Sequence, residues 1–285
     1  IERSNLNELN NLILLFNNFD LPNKNLLNKI FESQLESNKK NVNKLSDYQL
    51  IDNKIEYSSS TKVKDILIDE VFNENGILSE NIDNYEFREN QKFLSKDILN
   101  SFENSNFLIA DAGPGIGKTY AYIIPGLIAS LKSKNKIIIS TNTHSLQNQL
   151  FTKDLPTIFQ SLNISSKAVI LKGINNYICL NRLQKLISSK DILLSEEEIL
   201  DLMSLVVWAN HTKTGDVSEC NSFYRKNSIR LWSLVNYNPE FCLNNKCFSN
   251  NRCHYTQLKK VAKISDIIIV NHALLISHHN KDSFF

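Results

Sequence analysis

With 285 residues, 42% of them apolar, the chain is long enough for one large or two modest domains and can bury a core without covalent staples. Its 32 basic and 30 acidic residues leave a formal charge of +2, which excludes binding to nucleic acid by bulk charge and requires any such surface to come from local clusters of Lys and Arg. The longest apolar stretch, around Ala121–Leu131, is broken by Pro125 and Gly126 and is too short to cross a bilayer. No signal segment opens the chain, and five cysteines, an odd number, favour metal or cluster ligation over a disulfide framework. The expected compartment is the cytoplasm, and the start at Ile1 rather than Met is expected to mark a trimmed N-terminus.

Residues 1–60 carry two helical patterns, around Leu6–Phe16 and Asn25–Leu35, followed by a polar Asn/Lys/Ser run ending at Ser58–Ser60 that reads as a linker. This segment, without recognisable chemistry, is expected to be an accessory helical piece or the tail of a preceding domain. Residues 61–175 alternate helix and strand. Phe107–Ala110 is a short apolar run before a Gly-rich turn and is expected as a buried strand. A helix follows over Lys118–Lys132, with Pro125 as an expected kink. Lys136–Ser140 is β-branched and strand-like, Ser145–Leu162 helical, and Ala168–Leu171 a third strand. Such alternation implies a parallel sheet covered on both faces, the α/β class. Residues 176–263 lose the alternation and hold all five cysteines and both tryptophans. Strand character returns at Asp266–Val270. The expected organisation is an α/β domain, 61–175 with 264–285, interrupted by a cysteine-bearing insert, 176–263.

Ala112-Gly113-Pro114-Gly115-Ile116-Gly117-Lys118-Thr119 fits a phosphate-binding loop, with Ala in place of the first Gly. Three of the chain's seven glycines fall in it. Glycines allow successive backbone N–H groups to turn inward as an anion cradle, and the helix that follows adds its positive end. Lys118 supplies a point charge to the outer phosphates and Thr119 an oxygen for Mg²⁺. A dinucleotide-binding reading fails because Lys118 stands where the third Gly belongs. The loop specifies a nucleoside triphosphate, but kinases, GTPases and transporters share it.

Upstream, Tyr85-Glu-Phe-Arg88-Glu-Asn-Gln91 places an Arg and a Gln beside aromatics, groups able to read an adenine by stacking and by a bidentate amide hydrogen bond. An exposed charged helix start would look the same. Downstream, Thr141-Asn-Thr143-His-Ser-Leu-Gln147-Asn-Gln149 follows the second strand, where hydroxyls and amides face the ligand crevice of an open sheet. Thr141, Thr143 and Gln147 suit the phosphate oxygens of a nucleic-acid backbone, while an ordinary N-capped helix is the plainer alternative.

These segments resemble the Q motif, motif I and motif Ia of DinG/XPD-type superfamily 2 helicases, together with Lys153-Asp-Leu-Pro156. Lys172-Gly-Ile-Asn-Asn176-Tyr177-Ile-Cys179 is similar to that family's signature around its first cluster cysteine. The resemblance runs from about Gly76 to Ile276. It implies a P-loop (RecA-like) motor domain with a parallel sheet, interrupted by a mostly helical iron–sulfur insert. It also implies ATP and Mg²⁺ as cofactors, single-stranded or forked DNA as partner and 5′-to-3′ unwinding.

Cys242, Cys247 and Cys253 are separated by four and then five residues, and 62 residues lie between Cys179 and the first of them. Three local thiolates and one distant one suit an iron–sulfur cluster, whereas structural zinc prefers C-x₂₋₄-C pairs and the chain has no C-x-x-C. Four-cysteine zinc stays open. By resemblance, Cys179, Cys242, Cys247 and Cys253 hold a 4Fe–4S cluster. Cys220 has no counterpart and reads as a structural thiol. His254 departs from the family's Cys-Phe-Tyr and reads as a hydrogen bonder beside the ligands or a surface residue. Asn271 and His272, in Val270-Asn-His-Ala-Leu-Leu275, are expected as positioning groups near the DNA path.

No Asp-Glu-Ala-His follows Ile276, although hydrolysis in this family takes its Mg²⁺ carboxylate and water-orienting carboxylate from it. Ile66-Leu-Ile-Asp69-Glu70 mimics it but precedes the loop and reads as an ordinary segment. The expectation is an N-terminal piece of a helicase, inactive alone, with the DEAH box and second motor domain in a missing C-terminal half. A nuclease domain upstream is compatible. A non-motor iron–sulfur protein that binds DNA or senses redox state is the alternative. A small-molecule kinase explains neither the cysteines nor the Thr-rich turn.

Overall fold

The computed structural model describes residues 11–12, 14–15, 18, 55–56 and 66–278, apart from 190, 226, 244–245 and 248–251. The helix expected over Asn25–Leu35 lies outside them. Of Leu6–Phe16, positions 11–12 and 14–15 are helical. The chain divides into two compact units, residues 53–172 with 260–285, and residues 1–52 with 173–259.

The first unit is built on a four-stranded sheet of order β1-β3-β4-β2, from β1 (Ile55–Glu56), β2 (Ile137–Thr141), β3 (Lys167–Ile170) and β4 (Ile267–Asn271). β4 lies parallel to both β2 and β3, with Ile139 opposite Ile269 and Ile170 opposite the same residue. β1 adds antiparallel to β3 at one edge, inside the run that composition marks as linker. β-branched side chains dominate β2 and β4 because two branches at Cβ fit a pleated surface better than a helix. Residues Ile267, Ile268, Ile269 and Val270 are all fully buried, the continuous apolar run of a strand covered on both faces. The parallel α/β sheet is therefore as expected.

Helices α1 (Ile68–Val71), α2 (Ile77–Asn81), α3 (Glu89–Glu103) and α4 (Lys118–Ser133) precede β2. Pro125 sits inside α4, and Ile123, Ile124, Leu127 and Ile128 pack with Leu155, Ile158 and Ile269 in one apolar cluster. Truncating such a residue to Ala costs about 2–5 kcal/mol. The helical stretch after β2 runs unbroken from His144 to Ser161, as expected, but its hydrogen-bond register widens midway. α5 (His144–Gln149) and α6 (Leu155–Ser161) are joined by a π-turn over Leu150–Asp154. Pro156, at the second position of α6, has no N–H to continue a regular ladder across the junction.

One expectation fails here. Phe107–Ala110 is not a buried strand. The segment has no strand assignment, and Phe107 and Ile109 are 103% and 99% exposed. A strand persists only when neighbours pair its backbone, and no strand among the described residues pairs with this one. Apolar sequence made the segment strand-like; the absence of a ladder partner leaves it open.

The second unit is helical. α7 (Leu180–Ser188), α8 (Glu196–His211) and α9 (Ile229–Val235) bury Leu183, Leu202, Leu205, Leu231 and Trp232 in a separate cluster, and Leu12 and Leu15 belong to it. α8 opens with a reciprocal cap, in which Ser195 Oγ accepts from the Glu198 N–H while Glu198 Oε2 accepts from the Ser195 N–H. Trp232 Nε1 donates to the Asn175 carbonyl at 2.8 Å, and its ring lies 5.9 Å from that of Phe223. α10 (His254–Ile264) and α11 (His272–His278) flank β4 in sequence. No described helix is long and apolar enough to cross a membrane.

Candidate nucleotide site and thiol group

The loop at 112–119 turns into α4 through Gly117, whose left-handed φ of 78° is open to glycine at no steric cost. A Cβ there would also meet Gln91 Nε2 at 2.2 Å. This close approach exists because Gln91 Nε2 donates to the Gly117 carbonyl at 2.8 Å, while Gln91 Oε1 accepts from the Tyr85 hydroxyl at 2.9 Å. Gln91 is 1% exposed. The residue expected to read a base is therefore committed, in this structure, to tying the start of α3 to the phosphate loop. Arg88 stands beside it, half-exposed and paired with Glu86 at 3.0 Å, a surface contact worth about 0–1 kcal/mol.

Lys118 Nζ donates to the loop's own Ala112 and Gly113 carbonyls, at 2.7 and 2.9 Å. The ammonium folds back over the exposed loop. Thr119 is half-buried at the head of α4, near the Tyr122 hydroxyl, whose pKa burial raises. Gly113, Pro114 and Gly115 are exposed, and Ala112 and Ile116 half-buried, so the rim of the cradle faces solvent.

The Thr-rich turn is less open than its composition suggests. Thr141 is buried, with its hydroxyl donating to the Thr143 carbonyl at 3.2 Å. Thr143 caps α5, its Oγ1 accepting from the Leu146 N–H at 3.2 Å. Gln147 is fully buried, its Oε1 2.8 Å from His144 Nδ1 and its Nε2 without a partner. Helical period puts position 147 on the inner face of α5, while Asn142, Ser145 and Asn148 present exposed polar groups that sequence reasoning passed over. Asn271 Oδ1 caps α11 by accepting from the Leu274 N–H at 2.8 Å, and His272 Nδ1 lies 2.7 Å from Ser140 Oγ. Asp69, in the segment that mimics a catalytic acidic pair, binds Lys92 at 2.7 Å and Lys96 at 2.8 Å, and these lysines hold its carboxyl below the usual range. It serves packing between α1 and α3.

In the helical unit, Cys179 precedes α7 and its N–H donates to the Val235 carbonyl at 2.8 Å. Burial pushes its thiol pKa up, and the Cys253 and Cys247 thiols lie near enough to push it further. The Tyr237 hydroxyl is raised by burial first, then by a hydrogen bond and charge from Cys242, then by Tyr255 and Cys253. Through these pairs, Cys179, Cys242, Cys247 and Cys253 share one neighbourhood, half-buried, beside Tyr237 and Tyr255, whose rings are 4.2 Å apart. Among the described residues, however, no three Cys, His, Asp or Glu side chains come together as a site for a single metal ion. Cys220 lies elsewhere, buried in the helical core with Ser222 Oγ at 3.7 Å. His254 is also buried, not a surface residue. Burial drives its pKa down to about 4, Nε2 has no partner, and its ring packs so closely on Gly215 that a Cβ there would meet it at 2.5 Å.

A glycine cradle at the head of a helix that packs on a parallel sheet defines a P-loop nucleotide-binding domain, and residues 88–222 match the DEAD/DEAH box helicase family. The chain is 35% identical over 209 residues to the ATP-dependent DNA helicase YoaA of Haemophilus influenzae, covering 73% of this chain and 31% of that protein. It is 34% identical over 207 residues to YoaA of Escherichia coli K12, covering 72% and 31%, and 34% identical over 205 residues to the 3'-5' exonuclease DinG of Bacillus subtilis, covering 70% and 21%. The chain belongs to the DinG-type helicases, and it spans less than a third of the length of these relatives.

Proposed function

We propose that the chain supplies the ATP-binding part of an ATP-dependent DNA helicase that moves 5′-to-3′ on single-stranded or forked DNA. In this reading residues 61–175 with 264–285 form part of the first motor domain, 176–263 an iron–sulfur insert, and 1–60 an accessory segment. The observation that carries it is the tethered loop: Gln91 reaches 26 positions to hold the Gly117 carbonyl, which keeps the cradle at the head of α4. ATP entry gives Lys118 a better partner than the Ala112 and Gly113 carbonyls it now contacts, because a phosphate carries full charge and a carbonyl only a dipole. Thr119 would hold Mg²⁺ through its hydroxyl oxygen, and Arg88 would stack on the base once it leaves the weak pair with Glu86. Thr143 retains a hydroxyl proton for a DNA phosphate, while Thr141 and Gln147 hold its turn in shape.

The donor set also supports a cluster. Three thiols close in sequence and one distant one, near enough to perturb one another, would suit a 4Fe–4S core, which would join Cys179 to Cys242, Cys247 and Cys253. Residues 1–285 contain no Asp-Glu-Ala-His, so they bind ATP without hydrolysing it rapidly, and unwinding requires the second motor domain of the longer protein.

The test is titration of residues 1–285 with a fluorescent ATP analogue and Mg²⁺, alongside iron, acid-labile sulfide and zinc per chain after anaerobic purification. Saturable binding lost in Lys118→Ala, with about four iron and four sulfide, supports the reading. One zinc without sulfide replaces the cluster with a zinc site. No nucleotide binding removes the motor reading and leaves a DNA-binding or redox-sensing protein.

A further inference from the structure

Protein contacts alone tie Cys179 to the segment that leads to Cys242. The Cys179 N–H donates to the Val235 carbonyl at 2.8 Å and the Tyr237 N–H to the Tyr177 carbonyl at 2.7 Å, so residues 177–179 run along the end of α9. This backbone tie stops at Tyr237. Arg182, in the first turn of α7, carries it further. Its Nη1 donates to the Asn236 carbonyl at 2.6 Å and to Asn236 Oδ1 at 2.9 Å, and its Nη2 to the Ser233 carbonyl at 2.7 Å. These carbonyls belong to the last turn of α9, where a helix leaves its acceptors unsatisfied and its dipole favours a cation. The guanidinium carbon also lies 5.1 Å from the centre of the Phe241 ring, within cation–π range, and Phe241 adjoins Cys242. One planar group therefore touches α9 and the residue before Cys242, while its own backbone lies one helical turn from Cys179.

We propose that Arg182 is the positioning residue of the thiol group: its donors fix the end of α9 against α7, and its stacked face holds Phe241 so that Cys242 stays on the side of Cys179. The inference rests on the reading of Cys179, Cys242, Cys247 and Cys253 as ligands of one metal centre. Arg182 acts through α9 and Phe241, not as a ligand. Lys is no substitute, because a point ammonium has neither a planar fork for these acceptors nor a flat face for the ring.

The test compares residues 1–285 with the variants Arg182→Lys, Arg182→Gln and Phe241→Leu, all purified anaerobically. Iron loss to a ferrous chelator is followed beside thermal melting and ATP-analogue affinity. Release faster by about 10- to 100-fold is expected in both Arg182 variants, with a smaller rise in Phe241→Leu. Nucleotide affinity should not change, since the phosphate loop belongs to the other unit. Parent-like release in Arg182→Lys overturns the proposal, because charge alone then suffices. So does a melting temperature that falls in step with the release, because Arg182 then only stabilises the fold. A second readout needs no cluster. After chelation, mild oxidation with an azodicarboxamide and peptide mapping should join Cys179 to one of Cys242, Cys247 and Cys253 in the parent. In the Arg182 variants Cys179 should stay reduced while the other three pair among themselves. Equal pairing of Cys179 in parent and variants, or none in the parent, overturns the proposal whatever the metal content. A parent without iron or zinc removes the metal-centre reading separately.

Discussion

Gln91 Nε2 donates to the carbonyl of Gly117 at 2.8 Å, joining the first turn of α3 to the last residue of the phosphate loop. A buried amide satisfied by a loop carbonyl on one side and the Tyr85 hydroxyl on the other is costly to disturb. Gln91→Ala should destabilise the first unit by about 1–3 kcal/mol and weaken binding of the ATP analogue, read by urea unfolding and by titration. Unchanged affinity would show that the loop holds its shape without the tether.

Gly117→Ala tests the same junction from the other side. The added methyl meets Gln91 Nε2 and the backbone sits at positive φ, so both packing and conformation oppose it. Loss of nucleotide binding is expected with a fall in melting temperature. Lys118→Ala, at an exposed side chain, should lose binding with stability changed by no more than about 0.5 kcal/mol. Calorimetry on the two variants separates a broken loop from a missing charge.

Asp154 gives a pH test. Burial raises its carboxyl pKa above the ordinary 3.8, with Gln149 and Lys153 opposing. The folded state holds this proton more tightly than the unfolded one. Its contribution to stability is therefore fully present below 3.8 and is lost as pH rises through the higher folded value. Asp154→Asn, which keeps an acceptor for Gln149, should be more stable than the parent at pH 7 and equal to it at pH 3. Denaturation curves at the two pH values decide the matter, and a stability loss at pH 7 would count against burial as the dominant effect.

The cysteines divide into two classes. Cys247→Ser should lower iron and sulfide while leaving ATP-analogue affinity intact, since the thiol group and the phosphate loop belong to different units. Cys220→Ser should leave iron unchanged and cost about 1–3 kcal/mol, because it puts a hydroxyl in the apolar helical core. Metal analysis with thermal melts of both variants checks the assignment, which fails if Cys220→Ser loses iron.

Trp232→Phe keeps most of the buried ring but leaves the Asn175 carbonyl without its 2.8 Å donor. A loss of about 1–3 kcal/mol is expected, against about 3–5 kcal/mol for Trp232→Ala, measured by denaturant titration. Equal losses would mean that the hydrogen bond contributes little beyond packing.

Local chemistry alone determined several features of this chain. A Gly-rich turn ending in Lys-Thr has few uses other than a phosphate cradle, and runs such as Ile137–Ser140 and Ile267–Val270 suit parallel strands, the second buried along its length. Cysteine spacing marked the local triplet Cys242, Cys247 and Cys253, and only the family resemblance joined Cys179 to it. Tertiary structure decided what those residue types do once placed. Phe107–Ala110 has the composition of a strand but no backbone partner, so it stays open. Gln91 and Gln147 have amides that could serve a ligand, yet α3 and α5 turn both inward, one onto the phosphate loop and one beneath the Thr-rich turn. His254 could equally have faced solvent, and the missing side chain of Gly215 is what lets it pack inside. Periodicity and motif spacing act over a few residues, whereas strand partners, buried amides and ring contacts depend on segments up to more than a hundred positions apart, a distance over which one sequence carries no readable pattern.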